Sequence, residues 1–213
     1  MKNALYQELE SALAPLGFQL NKALGLLRKS PTGFQSVRVF VEDCGIDSPC
    51  FAITLHFSIR IHAVQALTQQ YFPIHPRYAH QAPTHTASLG QVVGDPQFRV
   101  TIARQEEIDQ VFDQVSQYVS TLGVPYLEHY QPVAMLDQLY NDSWQELAVQ
   151  MKALPVRAIV SMVLAKLTSR PDWQAIAHRL SQEFDHFEAS SRDVGKQPFQ
   201  RLLDELFDYR IPS

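Results

Sequence analysis

The chain has 213 residues, 46% of them apolar and 19% charged, with a formal charge of −4 and a pI near 6.0. A chain of this size buries a core without metal or disulfide support, and this composition excludes a disordered polymer. Lys and Arg gather into no run longer than Arg28-Lys29. The basic stripe that neutralises phosphates is therefore missing, and no nucleic-acid partner is expected.

The N-terminal residues Met1 to Glu8 already carry helical polar residues and lack the apolar core and small-residue cleavage site of a signal peptide. No apolar stretch approaches the ~20 residues that span a bilayer, so no membrane partner is expected. The two cysteines, Cys44 and Cys50, flank a Gly/Asp/Ser/Pro loop. They could bridge it, but two thiols make no disulfide framework, and a cytoplasmic protein with both reduced is expected.

In chain order, Leu5, Leu9, Ala12, Leu13 and Leu16 recur at the helical period, predicting a helix from about Asn3 to Ala14 that Pro15-Leu16-Gly17 ends. A hairpin follows, with one strand within Phe18–Lys29, turn residues Ser30-Pro31-Thr32-Gly33, and a second strand over Phe34–Glu42. From Phe51 to His62, Ile53, Leu55, Phe57, Ile59 and Ile61 alternate with Ala52, Thr54, His56, Ser58, Arg60 and His62. That period of two predicts an antiparallel strand with one face on the core and one facing polar surroundings. Ala63–Phe72 reads as a short helix, Pro73–Gly90 as an irregular Pro/His/Thr-rich loop, and Gln97–Ala103 as another strand. A helix over Gln105–Leu122 presents Ile108, Val111, Phe112, Val115 and Val119 on one stripe before Gly123-Val124-Pro125 breaks it.

The remainder reads as helix only. Ser143-Trp144-Gln145-Glu146 has the form of a capping box. Stripes fall on Val156/Ile159/Val160/Val163/Leu167, on Trp173/Ile176/Ala177/Leu180/Phe184/Phe187, and on Phe199/Leu202/Leu203/Leu206/Phe207. Pro155, Pro171 and Pro198 are placed near helix starts, where a missing N–H costs little. The expected fold is α+β: a small antiparallel sheet flanked by helices over residues 1–130, then an all-helical subdomain over 131–213.

Five of the eight histidines fall between residues 56 and 85. Yet His56 and His62 are six residues apart on one strand, roughly 20 Å, too far to chelate one ion. His75, His80 and His85 lie in the irregular loop with no ligand motif, so neither metal nor cofactor is expected. Searches for a nucleophile elbow, a phosphate-cradling glycine loop or a cysteine at a helix start find nothing. The polar parity of the strands is more informative. Arg38, His56, Arg60, His62 and Arg99 share one sheet face if the strands are neighbours, and arginine's rigid fork of donors suits an anionic ligand or an acidic partner.

Several segments carry a family likeness: Tyr6-Gln7-Glu8-Leu9 through Leu16-Gly17-Phe18, Phe34-Gln35-Ser36-Val37, His85 to Gln91 before Phe98-Arg99-Val100, and Leu122 to Leu127. Over about residues 5–140 the chain resembles the DUF4304-type proteins of bacteria, with Phe98 standing where the pattern has a tryptophan. The resemblance implies protein binding rather than catalysis and names no site residues. The function expected is thus a non-catalytic protein-interaction module, immunity-like or regulatory, with another protein as partner. The alternatives are an anion-binding protein using the basic face, and an enzyme whose site assembles from histidines of the 73–90 loop.

Overall fold

The computed structural model describes residues 2–44, 50–143, 154–185 and 189–208. The fold is α+β, with a small antiparallel sheet, flanking helices and a helical C-terminal part. Two compact units are present: Met1–Ile61 with Pro83–Gln131, and His62–Ala82 with Pro132–Ser213.

In the first unit, α1 (Lys2–Leu13) buries Leu5, Leu9 and Leu13 completely, the i, i+4, i+8 stripe of one helix face. Past it come β1 (Gln19–Asn21), β2 (Gly25–Ser30) and β3 (Gly33–Asp43). The single strand expected over Phe18–Lys29 is therefore two. Asn21 folds the chain back by accepting the Ala23 and Leu24 N–H groups on its side-chain oxygen at 2.9 and 3.1 Å. Gly25 takes φ +77°, and a Cβ there would lie 2.4 Å from the Val37 carbonyl. Glycine is needed at that position.

The spine of the sheet is the pairing of β3 with β4 (Phe51–Ile61), in register from Gly33↔Ile61 to Asp43↔Phe51. Strand order is β1-β2-β3-β4-β5, and β6 (Val100–Ile102) pairs with β4 beyond the end of β5 (His85–Ser88). Val37, Val39, Leu55, Phe57 and Ile59 are at most 1% exposed and form the core face. Each such side chain contributes roughly 1.5–3 kcal/mol of burial. The other parity departs from the half-solvated face expected: Ser36, Ser58 and Arg60 are also buried.

Alternation stops at Ile61, and His62 begins a helix instead of ending the strand. The stretch read as one loop, 73–90, contains a short helix α3 (Pro76–Ala79), strand β5 and the start of α4 (Leu89–Val93). Ser88 and Gln91 cap α4 reciprocally, a Ser-x-x-Gln box. β6 is also shorter than read, so Arg99 stands outside it.

The helix α5 (Ile108–Tyr118) is not broken at Gly123. It passes through a π turn (Val119–Gly123) into α6 (Val124–Tyr130). Pro125 sits in the first turn of α6, where a proline is tolerated. Gln35 ties α6 to the sheet, its side-chain NH2 donating to the Leu127 carbonyl at 3.0 Å.

The hairpin tip carries a correction. Cys44 and Cys50, expected as free thiols, are joined in a disulfide. Full pairing up to Asp43↔Phe51 leaves their Cα atoms 5.4 Å apart, inside the range a disulfide spans.

The second unit comprises α2 (His62–Tyr71), α3, α7 (Val133–Asn141), α8 (Leu154–Leu167), α9 (Trp173–Asp185) and α10 (Ala189–Phe207) among its described residues. The periodicity of α8 predicts one apolar stripe, yet Ala158, Ile159, Val160, Met162, Val163, Leu164 and Ala165 are all at most 1% exposed. A helix apolar all round is buried all round. Arg157 pairs with Glu183 of α9, and the backbone carbonyl of Ser161 accepts from Asn141 of α7 at 3.1 Å. Phe184 and Phe199 meet with ring centroids 5.3 Å apart. Pro198 lies inside α10 instead of near its start. The capping-box residues after Ser143, and Phe187, lie outside the described residues.

Candidate functional site

Of the five residues singled out in the sequence, the sheet brings three to one face. Arg38 stands directly opposite His56, and Arg60 opposite Phe34. His62 is exposed as the first residue of α2 and belongs to the second unit, and Arg99 is exposed ahead of β6. The shared basic face is thus smaller than expected: the alternation that carried His62 ends at Ile61, and the last strand starts only at Val100.

Arg60 is only 8% exposed, and its burial lowers the guanidinium pKa below the ordinary arginine value. It is part of the buried fabric of the sheet. Arg38, by contrast, reaches an open cleft of about 620 Å³ lined by one face of α1, by the β1–β2 turn and by residues 38–40 of β3. This volume is in the range of small-ligand and peptide-anchor pockets.

The cleft is built by local sequence. Lys2 and Tyr6 lie at i and i+4 on α1, so both face the same way. Tyr6 accepts the backbone N–H of Val39 on its hydroxyl oxygen at 2.9 Å. The Asn21 turn carries the exposed Lys22 to the rim. Arg38 donates to the Ala23 carbonyl at 3.2 Å, which steadies the guanidinium and leaves further N–H groups for a ligand. Phe40 forms an apolar wall; its ring lies 4.7 Å from that of His56 and 5.9 Å from the Lys2 ammonium. Leu20, 46% exposed, is a second apolar element.

Lys2, Lys22 and Arg38 are the charged residues of the lining, and no carboxylate is among them. Burial, and then the Arg38 charge, lowers the pKa of His56 below its ordinary value, with Glu42 pulling the other way. His56 therefore flanks the cleft as a neutral ring at neutral pH. The sequence reading missed Lys2, Tyr6, Lys22 and Phe40. Phe40 is the available signal: like Phe34, it is a large apolar residue on the parity of β3 that also carries Ser36, Arg38 and Glu42.

The histidines of the 73–90 segment do different work. His85 is buried in β5 with its Nε2 2.6 Å from the Tyr126 hydroxyl. His75, exposed, accepts the Arg77 N–H at 3.3 Å at the start of α3, and exposed His80 bonds Gln81 at 3.1 Å. His85 belongs to the first unit, the other two to the second. Among the described residues no three His, Cys, Asp or Glu side chains form a group that could hold a metal ion. No helix among them is long and apolar enough to cross a membrane.

Comparison with family models, with curated proteins and with solved structures returns no match.

Proposed function

We propose that this chain is a non-catalytic protein-interaction module whose cleft holds an anionic group of its partner. The observation that carries the reading is the charge of the lining: three cations without a carboxylate, around a floor with exposed Leu20 and Phe40. Cations alone would be an ordinary solvated rim. Cations around an apolar floor match a ligand that is charged at one end and apolar at the other. The likeness to DUF4304-type bacterial proteins points the same way, towards binding instead of catalysis. No nucleic-acid or membrane partner enters this proposal. Cytoplasmic action belongs to it only where Cys44 and Cys50 are reduced; joined, they favour an oxidising compartment.

The test is a titration of the ¹⁵N-labelled protein with sodium acetate at constant ionic strength. The Lys22, Ala23 and Val39 amides are expected to shift saturably, and Arg38→Glu to abolish the shifts. Uniform small drifts, identical in R38E, would refute an anion site in the cleft.

A further inference from the structure

The cleft adjoins an open strand edge. Pairing of β2 with β3 ends at Leu26↔Val37, whereas β3 continues beside β4 to Asp43↔Phe51. From Arg38 onward β3 is therefore an edge strand. In an antiparallel ladder the N–H and C=O of one residue point to the same side, and alternate residues share that side. Val37 bonds towards β2, and Val39 sends its N–H the same way, to the Tyr6 hydroxyl. Val41 consequently directs both its backbone groups outward, and among the described residues no hydrogen bond occupies its N–H. Exposed strand edges are templates for a further strand.

The Tyr6 oxygen sits where the carbonyl of such a strand would stand, 2.9 Å from the Val39 nitrogen. It ends the ladder there and keeps its own proton for donation into the cleft. A segment pairing antiparallel with β3 runs from the Asp43 side towards Val39, so its C-terminal end arrives at Tyr6, Arg38, Lys2 and Lys22. Continuing past that point is blocked by Tyr6; ending there with a negative charge is favoured.

Resting on the anion-binding reading of this cleft, we infer that its ligand is the free C-terminus of an extended peptide. The penultimate residues pair with Val41, the terminal α-carboxylate meets the Tyr6 hydroxyl and the Arg38 guanidinium, and an apolar last side chain lies on Phe40 and Leu20. Main-chain pairing joined to capture of a terminal carboxylate is a recurrent way to read chain ends.

The experiment uses the full chain against immobilised acetylated pentapeptides that differ in the last residue, each made as the free acid and as the C-terminal amide. Free acids ending in leucine or phenylalanine are expected to bind at least tenfold more tightly than their amides. They should also bind at least tenfold more tightly than acids ending in lysine, and should shift the Val41 amide resonance. Val41→Pro, which removes the edge donor at an exposed edge, is expected to weaken binding at least tenfold. The wild-type acid-against-amide comparison stands even where that variant folds poorly. Amides binding as well as acids, or binding without a Val41 shift, overturns the inference. Acetate shifts in the cleft without peptide binding overturn it too, while leaving the anion site intact; absence of both removes the anion site as well.

Discussion

The imidazole Nε2 of His85 lies 2.6 Å from the phenol oxygen of Tyr126, and the ring around it is 2% exposed. Tyr126 and Tyr130, one turn apart on α6, pack with ring centroids 4.8 Å apart, and the His85 ring of β5 lies 6.0 and 6.3 Å from them. Burial pushes His85 down from the ordinary 6.5 to about 4. Between those values the unfolded chain binds a proton that the folded chain does not, so stability rises with pH across this window. It is fully present above 6.5 and lost as pH falls towards 4. A difference of this size corresponds to on the order of 3 kcal/mol. Urea midpoints at pH 4.5 and pH 7 are expected to differ far more for the wild type than for His85→Leu. Equal pH dependence in the two proteins would show that another group is responsible.

Gly123 is helical, with φ −67°, so its role is space and not backbone freedom. A Cβ would lie 2.1 Å from the ring of Phe57, which is fully buried in β4. Gly123→Ala is expected to destabilise by about 1–3 kcal/mol, as overpacked cores do. Phe57→Leu makes room, so the double variant should be less destabilised than the sum of the single ones. Strict additivity in chemical denaturation would mean that the two residues do not compete for this space.

Much of this fold is legible in the sequence, and its failures have physical causes. Leu5/Leu9/Leu13 and the alternation through Ile53–Ile61 mark α1 and β4 because their apolar residues recur at a fixed period, although Ser58 and Arg60 on the other parity of β4 are buried as well. β5 was missed because four residues, His85–Ser88, are too few to show a period, and its neighbours Pro83 and Thr84 read as loop. Gly123-Val124-Pro125 looked like a helix end because local propensity cannot see that Phe57 needs a glycine opposite it. Arg38 and His56 were found by parity alone. Lys2, Tyr6 and Lys22 join them only through the docking of α1 and the β1–β2 turn, which no local pattern specifies.

Arg170 gathers three carboxylates in the second unit: Asp137 at 3.2 Å, Asp142 at 2.7 Å and Asp172 at 2.9 Å. These bonds raise its pKa further above the ordinary value, led by those to Asp172 and Asp142. Asp137 is 4% exposed, so removing the guanidinium leaves a buried charge behind. Arg170→Met is expected to cost about 3 kcal/mol, the penalty for breaking a buried pair. Asp142, with its side chain 51% exposed, is cheap by contrast, and Asp142→Asn should cost under about 1 kcal/mol. Thermal melts of the two variants test this ordering. Comparable losses would show that Asp137 finds another partner.

Cys44 and Cys50 close a loop with a sequence separation of 6 at the far end of the β3–β4 hairpin. Closing a ring this small removes about 2 kcal/mol of chain entropy from the unfolded state. Reduction should therefore lower the melting temperature of the wild type and leave that of a Cys44→Ser/Cys50→Ser double variant unchanged. Alkylation with a mass-tagged maleimide directly after cell lysis in acid reads the state in which the chain lives. A protein tagged at neither cysteine has its disulfide in the cell, and the oxidising compartment follows from it. Two tags place the chain among reduced proteins, so its hairpin tip works open and the stability gained on oxidation belongs only to the purified form.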